Sequence, residues 1–363
     1  MKKRRSAKKP SFGLSVLLAA LCLLAILAGH LLEQSAPDAP AADLPAASDT
    51  FEVRFLDIGQ GDAALVRCGE ETMLIDGGKV KNNQRLVARL RQLGVEHLDA
   101  VICSHPDEDH CGGLAAVLAA TPADVFYCSV DSWHTKAFSD VVKYADEQGF
   151  GVTVPQTGDS FSLGAASVVF LGPVQDYGDD PNEGSLVARV RYGQTSFLFT
   201  GDMGFEAEDD MLDTGVDVSA TVLKVAHHGS AGSSSTEFLE AVCPQYAVIS
   251  VGADNDYGHP TQAALNRLSN CGIPVYRTDL QGEIIAVSDG TAVTITTEKT
   301  NTAAEEASSQ AVKTGEYIAN ATSKVVHLAS CGKLPDEANR IYFDTLNDAL
   351  AAGCRKHASC LGH

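Results

Sequence analysis

Short apolar runs broken by glycine-rich turns alternate with apolar positions at helical spacing along most of this chain. Phe51–Ile58, Ala63–Val66 and Thr72–Ile75 read as successive strands, separated by Gly59-Gln60-Gly61-Asp62 and Gly69-Glu70-Glu71. Leu86, Leu90 and Leu93 then share one face of a helix. Strand–helix alternation recurs at 98–103, 114–120 and 123–128, and Val152–Thr200 is mostly strands set apart by Gly and Pro turns. A second strand–helix series occupies Thr221–Val275. Two β-rich halves with interspersed helices predict an α/β fold over residues 51–296, in which two sheets pack face to face with helices outside.

The flanks read differently. Phe12–Leu32 is a charge-free apolar run of 21 residues, long enough for a bilayer span of about 20. Lys2, Lys3, Arg4, Arg5, Lys8 and Lys9 crowd the tip, residues 1–11. Basic flanks stay in the cytoplasm, so everything after Glu33 is expected outside the cell membrane. A cleaved signal peptide has a shorter apolar core, roughly 7–15 residues, before a compact small-residue cleavage site. An uncleaved anchor is therefore expected, with secretion the alternative. Residues 33–50, rich in Ala, Pro, Asp and Ser, form a solvated tether. Residues 297–315 are a polar linker without an apolar period, and 316–363 a small separate module.

Charge narrows the partners. The net charge is −20; with six cations in the tip and no acidic residue before Glu33, the exported part carries −26. Tight non-specific binding to nucleic acid rests on a basic surface, which this composition opposes. Bound metals would supply local positive potential instead. Export permits disulfides. Of ten cysteines, Cys22 sits in the apolar run, and spacing assigns no partner to Cys68, Cys128, Cys243 or Cys271.

The densest chemistry is Ser104-His105-Pro106-Asp107-Glu108-Asp109-His110-Cys111-Gly112-Gly113, behind the buried-strand pattern Leu98–Cys103. A loop leaving a strand end can converge short oxygen and nitrogen donors on metal ions. His105 and Asp107 suit one metal, and Asp109 and His110 a second. Asp202 follows the apolar strand Thr195–Phe199 in a turn expected to be exposed. His227-His228 closes the strand Thr221–Ala226. Neighbours on a strand end point to opposite sides, so His228 is the expected ligand and His227 the orienting or alternative one. His259, in Tyr257-Gly258-His259-Pro260, is positioned to face a leaving oxygen or developing negative charge. Asp57, Asp62 and Asp76 are expected to hydrogen-bond loop backbone or support ligands from behind.

Together with Phe55-Leu56-Asp57-Ile58-Gly59-Gln60-Gly61-Asp62, Leu74-Ile75-Asp76-Gly77-Gly78, Thr200-Gly201-Asp202 and Leu223-Lys224-Val225-Ala226-His227-His228-Gly229-Ser230, these motifs resemble the metallo-β-lactamase superfamily. The likeness is strongest to the extracellular hydrolase domain of ComEC-type competence proteins, with Asp107 standing where the superfamily usually has a second histidine. The resemblance implies an αββα sandwich and two divalent metals, zinc or manganese, on His105, Asp107, Asp109, His110, Asp202 and His228, with Asp202 bridging. Asp109 and His259 would be catalytic. The implied reaction is in-line hydrolysis of a phosphodiester, DNA among the candidates, by a metal-bound hydroxide. Many superfamily members complete the first metal's shell with a histidine near Asn182; none is present, leaving Asn182 or water for that role. The sequence shows no multi-helix channel of the kind competence transporters carry, so DNA transport itself is not expected of it. Two alternatives stay open: an esterase acting on a cell-surface phosphoester, and a non-enzymatic DNA- or surface-binding protein that keeps the fold.

In the tail, His327-x3-Cys331 and His357-x2-Cys360 bracket an apolar hairpin-like span, a donor set suited to tetrahedral zinc. The module resembles the small zinc-binding domain of Ada-type DNA repair proteins, His357 taking the first position of that family's Cys-x-x-Cys. The resemblance implies one structural zinc in an α+β module. A disulfide from Cys331 to Cys354 or Cys360 is the alternative.

Overall fold

The computed structural model describes residues 50–299 and, between 317 and 361, all but 329, 330, 332, 336–338, 344 and 345. The basic tip, the apolar run 12–32 and nearly all of the tether and linker lie outside the described residues. Among the described residues no helix is long and apolar enough to cross a membrane.

Fifteen strands build the large domain: β1 (Phe51–Phe55), β2 (Ala64–Cys68), β3 (Glu71–Ile75), β4 (Ala100–Cys103), β5 (Phe126–Cys128), β6 (Val152–Thr153), β7 (Ser160–Leu163), β8 (Ala166–Gly172), β9 (Val187–Tyr192), β10 (Thr195–Phe199), β11 (Val222–Lys224), β12 (Tyr246–Ile249), β13 (Val275–Arg277), β14 (Ile284–Ser288) and β15 (Val293–Thr297). They form two sheets, in the orders β15-β14-β1-β2-β3-β4-β5-β6 and β13-β12-β11-β10-β9-β8-β7. In β1, Phe51, Val53 and Phe55 are buried while Glu52 and Arg54 are half-buried, the period-two pattern of one core-facing side. These residues meet Phe170, Phe197 and Phe199 of the facing sheet, and the Phe51 ring stacks on Tyr192 at 4.9 Å. Burying each phenyl ring contributes about 1.5–3 kcal/mol.

The outer face of the first sheet is covered by helices Asn83–Gln92, Leu114–Ala120 and Lys136–Gln148, through Leu86, Leu90, Val117, Phe138 and Val141. Helices Phe205–Asp213, Thr236–Val242 and Gln262–Asn270 cover the second, through Ala207, Met211, Phe238, Leu239 and Leu268. The architecture is the αββα sandwich. With helices on one side and the facing sheet on the other, all four residues of β4 are buried, which explains its unbroken apolar run.

Three elements depart from the sequence reading. The pattern Phe51–Ile58 stops being a strand at Phe55, because the chain turns at Leu56 and closes a loop with the Leu56 N–H on the Ala63 carbonyl, 2.9 Å. Helix Lys136–Gln148 was not expected. Its signals are nonetheless present: Thr135 caps the N-terminus by accepting from the Phe138 N–H, Phe138, Val141 and Ala145 form the buried face, and left-handed Gly149 ends it. The β14–β15 hairpin around Asp289-Gly290 was also missed; it pairs antiparallel with β1 and closes that edge of the sheet.

β3, β4 and β5 run parallel, as do β10, β11, β12 and β13. Asp76, the loop 104–110, Gly201-Asp202, His227-His228 and Ser250 all follow carboxyl ends of these strands, the usual place for a site in an α/β sheet.

Candidate metal centre

Three histidines reach the same spot from different elements, each with its Nδ1 held by a neighbouring group. His105 has its Nδ1 3.0 Å from Ser104 Oγ and 3.4 Å from Ser185 Oγ. His110 has its Nδ1 2.9 Å from Asp76 Oδ2. His228 Nδ1 donates to the Ser250 carbonyl at 2.9 Å and lies 3.1 Å from Asp62 Oδ1. All three are buried; the Nε2 atoms of His105 and His228 and Asn182 Oδ1 lack a hydrogen-bond partner, while His110 Nε2 faces Asp202 Oδ1 at 3.1 Å. Unpartnered ring nitrogens beside a buried carboxylate would be costly unless cations complete them. This donor set fits divalent metals.

Asp202 is the centre of the array. Its carboxylate lies 3.1 Å from His110 Nε2, 3.5 Å from His228 Nε2 and 3.7 Å from His227 Nε2. The expectation of an exposed turn is wrong: Asp202 is buried, because Gly201 adopts a left-handed φ of 52° and folds the turn inward against Ser104 and Ser185. The Asp202 N–H donates to Ser185 Oγ, 3.1 Å. His227 and His228 correct a second expectation. β11 ends at Lys224, and the two histidines take consecutive left-handed conformations, φ 51° and 52°, which do not alternate as a strand does. Both rings therefore approach the same carboxylate. Such backbone costs about 1–3 kcal/mol per residue and persists only where the surroundings enforce it.

The remaining predicted residues line the mouth. Asp107, half exposed, has its carboxylate 3.8 Å from His105 Nε2, and Asp109 lies 3.7 Å from His228 Nε2. Asp107, Asp109, Asn182, Asp202, His227, His228, Tyr257 and His259 border one cleft of about 200 Å³. The His259 backbone is fixed by Asn255, whose side chain accepts its N–H at 2.9 Å and donates to its carbonyl at 2.7 Å. The ring Nδ1 has no partner.

Asp62 and Lys224 were not expected to matter together. Lys224, buried in the interior, sits 2.7 Å from Asp62 Oδ2, while Asp62 Oδ1 supports His228. Gly61, with φ 127°, lets this turn approach the Asp109 carbonyl so closely that a Cβ would stand 2.3 Å away. Asp62, His110, Asp202 and His228 thus offer donor atoms all within 4.8 Å of one another. Asp57, by contrast, pairs with Arg85 at 3.1 Å and supports no histidine.

Electrostatics follow from this packing. Burial raises the Asp62 carboxyl, but the Lys224 ammonium and His228 overcome it and hold it at about 2. Burial likewise opposes ionised Asp202, and His110 and His228 drive its pKa well below the usual carboxylate range. His110 is disfavoured as a cation by burial, yet flanking Asp202 and Asp76 raise it well above 6.5. Burial, reinforced by His110, pushes His105 well below 6.5. Metal loading must therefore displace the His110 proton. Against the opposing effect of burial, Asp202 and Asp62 also raise His228, so affinity is expected to rise with pH, and the proton release is measurable by calorimetry in buffers of different ionisation enthalpy. For the metal-free protein the sign is opposite: stability from charged His110 is full below its unfolded value of 6.5 and falls as pH passes the elevated native value.

A second array holds the turn after the histidine pair. Buried Arg267 donates to the carbonyls of Ser230, Ala231, Ser233 and Ser234, and buried Glu208 accepts from the Ser234 and Ser235 N–H groups. Arg267→Met is expected to cost roughly 3 kcal/mol, since it strands buried acceptors. A urea titration showing less than about 1 kcal/mol would contradict that role.

In the tail, β16 (Tyr317–Asn320), β17 (Val325–Leu328), β18 (Arg340–Phe343) and β19 (Arg355–Lys356) form a sheet in the order β18-β16-β17-β19. His327, Cys331, His357 and Cys360 place their donor atoms within 4.8 Å of one another. His357 Nδ1 lies 3.6 Å from Cys331 Sγ and 3.3 Å from Cys360 Sγ, and buried His327 Nδ1 has no partner. Cys354 instead packs with Ala319, Val326 and Ala349 in the module's small core. This Cys/His group fits a small zinc module.

An αββα sandwich with a histidine- and aspartate-lined centre at its strand ends defines a metal-dependent hydrolase fold. The family model for the metallo-beta-lactamase superfamily matches residues 56–253, and the chain belongs to that superfamily. Among curated relatives, ComE operon protein 3 of Bacillus subtilis is 31% identical, covering 66% of this chain and 33% of its own length. Competence protein ComA of Neisseria gonorrhoeae is 36% identical, covering 64% and 31%. Recombination protein 2 of Haemophilus influenzae is 28% identical, covering 65% and 28%. The chain thus spans about a third of the length of these relatives.

Proposed function

We propose that this chain is a metal-dependent phosphodiesterase, held outside the cell membrane by the apolar segment 12–32, with DNA as the favoured substrate class. The observation that carries the reading is the buried cluster of Asp62, His110, Asp202 and His228 donor atoms, of which Asp202 and His228 also border an open acidic cleft. Relatives named for competence and for recombination support a nucleic-acid substrate. His105, Asp107 and Asn182 would hold one cation, and Asp109, His110 and His228 the other, with Asp202 between them. Divalent cations there supply a polarised water and a positive clamp for phosphoryl oxygens. Among the chain's own groups, Asp76, Asp62, Ser104 and Ser185 orient the histidines and leave each Nε2 pointing inward. Asp109 is placed to receive a proton at the cleft.

His259 acts on the substrate. Burial, then the like charges of His227 and His228, pull it down to about 4, so at neutral pH its imidazole is uncharged and hydrogen-bonds the leaving oxygen without titrating. His259→Ala is expected to lower kcat about a hundredfold with metal content unchanged; loss of metal would make it a ligand instead. The whole reading is tested on the full chain loaded with manganese or zinc, using a single-stranded oligonucleotide and bis(p-nitrophenyl) phosphate. Metal-dependent turnover is expected. Absence of turnover on both, with metal bound, would overturn it.

A further inference from the structure

Tyr257 lines the cleft beside Asp109, Asp202 and His228, yet it is 58% exposed, the most open large apolar side chain among the described residues. It belongs to none of the hydrophobic clusters among the described residues, so the ring is not held in the core. Its plane lies 23° from that of His259, with centroids 5.7 Å apart. Its hydroxyl accepts from Lys79 Nζ at 3.3 Å, and that ammonium lies 5.0 Å from the ring centroid. An aromatic plane open to solvent, a cation at its edge and a phosphodiester-cleaving centre beside it have one chemistry in common.

We propose that Tyr257 is a stacking shelf for the nucleobase next to the scissile phosphodiester, with Lys79 meeting an adjoining phosphate. The inference rests on the phosphodiesterase reading and narrows it to nucleic acid whose bases are unpaired, because a base inside a duplex has no free face to offer. Lys79 decides against the other ligand that an open tyrosine suits. A quaternary ammonium headgroup is drawn to an aromatic face, but here it would meet a fixed ammonium at the ring's edge. Exposed Asp254 and Asp256 in the same loop weaken attraction for the backbone. Stacking therefore carries the recognition, and binding should depend only weakly on salt.

The test compares kcat/KM of the metal-loaded full chain on a single-stranded oligonucleotide and on an oligomer of the same length made of abasic sugars. Wild type is expected to prefer the base-bearing strand about 10- to 100-fold, a ratio that collapses toward one in Tyr257→Leu and returns in Tyr257→Trp. A ratio near one in wild type, with both strands cleaved, overturns the shelf and leaves the phosphodiesterase reading standing. Cleavage of neither strand overturns both. Tyr257-dependent hydrolysis of glycerophosphocholine, stronger than on the oligonucleotide, overturns the shelf in favour of an ammonium headgroup.

Discussion

Asp202→Asn is expected to lower kcat/KM at least about a thousandfold, roughly 4 kcal/mol of transition-state stabilisation. The substitution keeps the shape of the side chain and removes its charge and one of its acceptor oxygens. In the structure the carboxylate faces His110, His228 and His227 at 3.1–3.7 Å, so it meets two donors of one proposed cation site directly, and it shares the cleft with Asp107 and Asn182 of the other. An amide would turn an N–H toward an imidazole nitrogen and could not bridge two cations. Because Asp202 is buried, its loss is not confined to chemistry. In the metal-free variant the His110 proton loses its strongest partner, and the metal-induced rise in Tm should shrink along with activity. Activity within tenfold of wild type, at equal metal content, would remove the bridging role.

What the sequence made legible here is what is contiguous in it. The loop 104–113 carries four of its polar groups in a row, Asp107 to His110, and the strand before it and turn after it are local patterns, so its place at a strand end was readable. The same holds for Asp202 behind its apolar strand. Exposure was not readable at that position, because burial of Asp202 depends on Ser104 and Ser185 arriving from other parts of the chain. Asp57, Asp62 and Asp76 look alike in sequence; only the fold separates the two that support histidines from the one that pairs with Arg85. Lys224 reads as one cation in an apolar strand until β11 is laid beside the loop that brings Asp62 within 2.7 Å. The left-handed pair His227-His228 was hidden for a related reason. Side-chain alternation is a property of strands, and here the strand has already ended. Helix Lys136–Gln148 is the opposite case, a local signal that was present and overlooked.

Removing zinc from the tail is expected to unfold residues 316–363 and leave the hydrolase domain standing. The module's core is small, built on Ala319, Val326, Ala349 and Cys354 with a few half-buried neighbours. So small a core supplies little stability by itself, whereas structural zinc binding contributes about 10–16 kcal/mol. The four donors come from β17, the turn after it, and His357 and Cys360 at and within the last helical segment, so one ion would tie the two parts of the module together. Cys331→Ser should therefore abolish the zinc-dependent structure of the tail. A chelator should do the same to the wild-type module, followed by circular dichroism and zinc release. Contact with the large domain includes the Asn266 side-chain amide, which donates to the Arg340 carbonyl. A hydrogen bond of that kind is worth about 1 kcal/mol. A chain ending at Thr297 should then retain full hydrolysis of a small soluble diester. If that truncation destroys activity on the small diester, the modules are not independent. If the tail resists the chelator but collapses under a reductant, a disulfide and not zinc holds it.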